Sequence, residues 1–288
     1  MFSYRSALLN ATYKEGQVGK LTDEHEQAEH HRFKKDFLFK NKQIPKDLYV
    51  ARLIQHFLII KAIETQLQKL DSEKSEINAF FALSYIEHLW RTPGIQKDLQ
   101  QLGINPDQIK ESEIAPTTKR YLKDIEQFTP KVLLGHFLVH VAGFMHGGNI
   151  IRSKFIEPSN SVTDYQISTH QYDFSSAATF LQGGKGSSFA VYQDMMNKMD
   201  EIALDSDEYE EILKQGKSVY AIMTSLYDDL CEMHTNHPTY DLAARHADKP
   251  TTSCYSLAVI SVSMLAIAYI VTLLADFSMN SGMSPRPS

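Results

Sequence analysis

The stretch "LLGHFLVHVAGFMHGGNIIRSKF", residues 133–155, decides how the rest of the chain is read. The run from Val132 to Ile151 is mostly apolar and reads as a helix. Yet Gly147 and Gly148 stand side by side in it, and Gly143 precedes them by about one turn. Each glycine inside a helix costs roughly 1 kcal/mol relative to alanine. Three uses account for such a pair: a kink, the close approach of another helix, or a flat ligand lying against bare backbone.

Outward from this run, almost every segment has helical period. "IPKDLYVARLIQHFLIIKAIETQLQKL" (44–70) places apolar groups at i, i+3 and i+4, with Pro45 at its start. "APTTKRYLKDIEQF" (115–128) is shorter and amphipathic. Thr129 and Pro130 are the N-cap and first turn of the apolar helix. "SDEYEEILKQGKSVYAIMTSLYDDLCEMH" (206–234) is long, and its acidic first turns suit a helix N-terminus. "QGGKGSS" (182–188) marks a loop or a helix start. No repeat and no strand pattern is evident, so the expected fold is a single all-α domain.

The chain has 288 residues, 43% of them hydrophobic, and a net charge of -6, which lacks the basic footprint of a nucleic-acid binder. Cys231 and Cys254 are far apart, with no CxxC, so neither a disulfide framework nor a thiolate zinc knuckle is indicated. The N-terminus has too short an apolar run for a secretory signal. At the other end, "CYSLAVISVSMLAIAYIVTLLA" (254–275) carries no charge. At about 1.5 Å per residue it would span the ~30 Å hydrocarbon core, as a tail anchor. Arg245 and Lys249 on its near side place the bulk of the protein in the cytosol. The expected divisions are an N-terminal extension (1–20), a helical domain (21–234), a polar linker (235–253), the anchor (254–275) and a short tail (276–288).

Near the N-terminus stands "LTDEHEQAEHHRF" (21–33), in which His25 and Glu29 lie one helical turn apart on one face. "DEHEQAE", then "PTTKRYLKDI" (116–125), then the run at 133–155, occur in the order and spacing of heme oxygenases. The sequence resembles that family, and its tail-anchored animal members, over nearly its whole length. The resemblance implies a heme-oxygenase-like helical domain that sandwiches heme between a proximal and a distal helix. It makes His25 the proximal iron ligand with Glu29 nearby, and puts Gly143, Gly147 and Gly148 on a distal helix bending over the heme face. The family reaction is O₂- and reductase-dependent cleavage of heme to biliverdin, carbon monoxide and ferrous iron. An NADPH reductase on the same membrane, expected to be the endoplasmic reticulum, would supply the electrons.

The chain departs from the family pattern where the proton is handled. An aspartate is expected directly after the first distal glycine; Phe144 stands there. In the family that aspartate holds a water network that delivers a proton, and phenylalanine can neither hold nor relay one. Leu58, Leu138, His140 and Met223 stand where family tyrosines, an arginine and an asparagine are usual. Tyr121 keeps its phenol, and His146 is a further candidate donor. The clamp for the heme carboxylates is depleted, with Phe189, Gln193 and Met195 where the family carries cations; Lys20 and Lys185 are the substitutes on offer.

This divergent pattern leaves an active enzyme with an altered pocket beside a non-catalytic heme sensor or buffer. Two further readings remain. His136 and His140, spaced i, i+4, are candidates for a non-heme metal site. The domain is alternatively a membrane-tethered interaction module, with Phe144 and Met145 filling its pocket.

Overall fold

The fold is given by a computed structural model that describes residues 2–182 and 187–236. Its helices, in chain order, are α1 (Tyr4–Thr12), α2 (Asp23–Glu29), α3 (Lys46–Gln68), α4 (Asn78–Phe81), α5 (Thr92–Gln101), α6 (Pro116–Ile125), α7 (Pro130–Ile151), α8 (Glu157–Asn160), α9 (Ser175–Gln182), α10 (Ser188–Lys198) and α11 (Ser206–Met233). Wide π-helical stretches follow α2 and α7, at Phe33–Leu38 and Arg152–Ile156. Strand pairing among the described residues is limited to a two-residue antiparallel pair, Phe2–Ser3 with Ala203–Leu204, and a single antiparallel bridge between Tyr13 and Leu21.

The helix starts follow the sequence. The Thr129 hydroxyl accepts the Val132 N–H at 3.4 Å, and Pro130 occupies the first turn of α7. At α11, Asp205 accepts from the Glu208 N–H at 2.9 Å while Glu208 accepts from the Asp205 N–H at 3.0 Å. This reciprocal cap satisfies two amides that the helix itself leaves without partners.

α7 lies at the centre of the core. Leu134, Phe137 and Val141 are fully buried, and the helix packs against both α3 and α11. The rings of Phe80, Trp90 and Phe137 form a cluster with centroids 5.4, 5.5 and 6.1 Å apart. α3 buries Leu53, Ile60, Ile63 and Leu67, and also packs against α5 and α6. The first twenty residues are more than an extension: α1 buries Tyr4, Ala7, Leu8 and Ala11 and lies along α11. Gly216 permits that approach, because a Cβ there would stand 2.7 Å from the Ala11 Cβ.

The expected architecture needs one correction. Among the described residues no helix is long and apolar enough to cross a membrane. The longest apolar helices, α3 and α7, bury their apolar surface within the domain. The stretch 254–275, and most of the linker before it, lie outside the described residues.

Candidate heme site

His25 projects from α2. Its ring stacks on Tyr220 of α11, with centroids 4.2 Å apart and planes inclined by 17°. His25 Nδ1 lies 3.3 Å from the Thr12 carbonyl oxygen. A carbonyl only accepts, so Nδ1 carries the proton and Nε2 keeps its lone pair. Glu29 Oε2 stands 3.9 Å from Nε2, beyond hydrogen-bonding distance. That lone pair lies in the plane of the ring. The stacked Tyr220 therefore covers the imidazole face and leaves the coordinating edge free. Burial lowers the His25 pKa, which favours the neutral form near pH 7. A neutral imidazole whose other nitrogen is tied to the backbone is a pre-oriented metal ligand.

The glycines of α7 divide into two kinds. A Cβ built at Gly143 or Gly147 would meet nothing within 4 Å, so this pair, one turn apart, forms a bare and open strip. At Gly148 a Cβ would stand 2.3 Å from the Tyr172 ring. Gly148 thus serves packing against the segment His170–Tyr172, and only the other two glycines present open backbone. The helix does not break at any of them; the irregular turn comes later, at Arg152–Ile156.

Phe144 faces away from that strip. It is 4% exposed and packs between His56 of α3 and Tyr172, with ring centroids 6.1 Å from each. It therefore occupies core rather than plugging the open glycine face. His146 does lie at the strip, edge-on to Tyr192 of α10 at 4.4 Å. His146 is exposed, yet enough protein surrounds it for burial to lower its pKa. The phenols of Tyr192 and Tyr220 are within electrostatic reach of each other, and Tyr13 acts on both. These rings connect His146, beside the bare strip, to His25.

This outer part of the site is aromatic. Burial pushes the Tyr192 phenol up to about 12. Arg5 is near it but is engaged by Asn197 at 2.6 Å and Asp200 at 3.7 Å. Phe189 and Gln193 are half-buried on α10, and Met195 is in the core. Lys20 is exposed, and Lys185 lies outside the described residues.

Tyr121 has its phenol committed elsewhere. It donates to His136 Nδ1; His136 Nε2–H donates to Gln215 at 3.1 Å, and Gln215 donates to Glu211 at 2.7 Å. Burial takes His136 down to about 4 and His140 to about 3. The Nε2 of His140 has no partner. The i, i+4 histidine pair does not form a metal centre: His136 is bonded through both nitrogens, and no group of three or more potential ligands occurs among the described residues. Leu138 and Met223, at two of the expected network positions, are buried apolar side chains.

A second group of polar residues escaped the sequence reading. Arg52 and His56, one turn apart on α3, are 4% and 7% exposed. Arg52 Nε and Nη1 and both His56 ring nitrogens lack hydrogen-bond partners. The phenols of Tyr172, Tyr227 and Tyr49 surround the guanidinium, and Lys34 Nζ lies 5.5 Å from the Tyr227 ring centroid. Burial alone would raise the Tyr227 pKa, but the charges of Arg52 and Lys34 outweigh it and leave it lowered. The signal was present in "ARLIQHF" (51–57), where a cation sits on an otherwise apolar segment in the second turn of α3.

An all-helical domain that pairs an available imidazole with a bare helix strip has the architecture of helical heme proteins. Comparison with known proteins gives the family. The heme oxygenase family profile matches residues 19–229. Solved structures agree in fold. Heme oxygenase-2 from Synechocystis sp. PCC 6803, in complex with heme and NO, superimposes with a TM-score of 0.65 at 19% identity, covering 87% of this chain and 95% of that one. Heme oxygenase-1 from the same cyanobacterium, in complex with heme, gives 0.64 at 19% identity, covering 85% and 100%. The Leptospira interrogans enzyme gives 0.61 at 19%, covering 78% and 98%. No curated protein matches the sequence. The chain belongs to the heme oxygenase family, whose ligand and substrate is heme.

Proposed function

We propose that this chain binds heme through His25 beside the bare strip of Gly143 and Gly147, and that its capacity to cleave the ring is impaired. The observation that carries the binding half is the state of His25: proton fixed on Nδ1 by Thr12, lone pair free on Nε2. Bound heme supplies the iron at which oxygen is activated and the ring that the family reaction opens. The chain's own part is to hold and orient the macrocycle. Tyr220 buttresses the imidazole, and the absent side chains at Gly143 and Gly147 let the helix backbone lie close to a flat plate.

The impaired half rests on where proton carriers sit. Phe144 places an apolar ring in the core at the position of the family aspartate. Tyr121 donates its proton to His136, within a hydrogen-bonded chain leading to Glu211. The donor that remains at the open strip is His146. A positioned general acid contributes typically about 10²–10⁴-fold, and its loss sets the expected deficit. The test is direct. Heme titrated into the full chain should give the absorption spectrum of a histidine-ligated heme. With reductase and oxygen supplied, biliverdin should form at least about a hundredfold more slowly than in a member that retains the aspartate. Formation at a comparable rate would refute the impairment.

A further inference from the structure

We propose that Arg52, Lys34 and the phenols of Tyr172 and Tyr227 form an inner carboxylate site, so that this chain takes its tetrapyrrole with a carboxylate arm pointing into the core. The inference rests on the heme reading above and adds an orientation to it.

The first argument is chemical. Arg52 is nearly fully buried and always protonated, yet two of its donor nitrogens have no acceptor. It forms no ion pair with a carboxylate among the described residues; the groups acting on it are phenols. Asp98, whose field reaches Tyr49 and Tyr172, is already engaged. It accepts from the Ser168 hydroxyl, from His170 N–H and Nδ1, and from the Gln171 N–H. Lys34 adds a second cation at Tyr227; burial depresses its pKa despite the opposing field of Glu29, which makes no ion pair with it within 4 Å. A buried cluster rich in donors and short of an anion is completed by a carboxylate, which forms short, charge-assisted bonds to such groups.

The second argument is position. Tyr227 follows Tyr220 by seven residues on α11, so both occupy one face, about 10 Å apart along the axis. Tyr220 stacks on His25, and Tyr227 adjoins the cation cluster. On the other wall, Tyr172 abuts Gly148, the neighbour of the open Gly147. The cluster therefore adjoins both walls of the heme site, on its inner side. The outer side is lined by Tyr13, Tyr192 and His146, and the nearby Arg5 is engaged by Asp200.

The test compares iron protoporphyrin IX with its dimethyl ester, by absorption titration of the full chain. The wild type should bind the free acid about tenfold or more tightly than the diester, the worth of a charge-assisted hydrogen bond. Arg52→Met should remove that preference while leaving diester affinity unchanged. Without heme, R52M should unfold no more easily than the wild type, because it removes a buried charge that has phenols but no carboxylate to pair with. If R52M does not fold, the less buried Lys34→Met carries the same comparison. Equal binding of the two porphyrins by the wild type overturns the inference and leaves the heme reading standing. So does a preference that survives in the variants. Binding of neither porphyrin overturns both. Thermal stabilisation by inorganic phosphate that depends on Arg52, without discrimination between the porphyrins, overturns it in favour of a free anion.

Discussion

The two walls of the candidate heme site differ in what they offer a ligand. The α2 wall keeps what coordination requires: one imidazole, its tautomer set by Thr12 and its face supported by Tyr220. The α7 wall keeps its bare strip at Gly143 and Gly147 but has turned Phe144 into the core against His56 and Tyr172. Coordination needs a single lone pair, whereas proton delivery needs an acid and a chain of ordered partners. The first survives a few local contacts; the second is lost with one side chain. On the proposed reading, holding heme and opening it are separable properties of one fold.

The sharpest way to break this comparison is to exchange what each wall contributes. His25→Ala should abolish the histidine-ligated heme spectrum; an unchanged spectrum would show that another residue ligates the iron. Phe144→Asp places a carboxylate behind the α7 strip, beside His56 and Tyr172, and should raise biliverdin formation by about a hundredfold if a proton delivered from that side is what the chain lacks. The same change should lower stability by at least about 3 kcal/mol, since it removes a buried aromatic ring and buries a carboxyl group in its place. Destabilisation without any gain in turnover would show that the acid alone is insufficient and that the partner groups are needed too.

The next effect concerns the core behind the α7 wall. The unfolded chain protonates histidine near the ordinary value of 6.5, whereas folded His136 and His140 do so only near 4 and 3, because burial opposes the charge. Between those values the unfolded state binds more protons, so stability is fully present above about pH 6.5 and falls as the pH drops. The two groups together are worth several kcal/mol over that window. Urea titrations at pH 7, 5 and 4 should show the loss, and His140→Leu should shallow the slope. A slope unchanged by that substitution would place the acid sensitivity elsewhere.

Smaller changes separate the two kinds of glycine. Gly147→Ala meets open space and should stabilise the heme-free chain by about 0.5–1 kcal/mol, while weakening heme binding. Gly148→Ala drives a methyl into the Tyr172 ring and should destabilise by about 1–3 kcal/mol with or without heme. Thermal unfolding beside a heme titration reads both, and equal behaviour of the two variants would remove the distinction. Outside the site, Asp205→Ala removes the α11 cap at a cost of about 1 kcal/mol, measurable by urea unfolding, with no change in heme affinity.

The sequence by itself marked the helices α3, α6, α7 and α11 and their order, while α1 and α5 emerged only from the structure. Apolar period, the Thr129–Pro130 start and the acidic opening of α11 are local features, and local features set helix boundaries. His25, one of twelve histidines, was marked out by the resemblance of "DEHEQAE" and the later motifs to a known family, and the glycine pair by its cost inside a helix. Only the tertiary structure decided which glycines face open space and which packs on Tyr172, a contact across more than twenty residues of chain. It alone committed Tyr121 to His136 and gathered Arg52, Lys34, Tyr172 and Tyr227 into one cluster. Those facts depend on which helix faces lie against one another. Periodicity shows that a face is buried, and leaves what it is buried against to the packing of the whole chain.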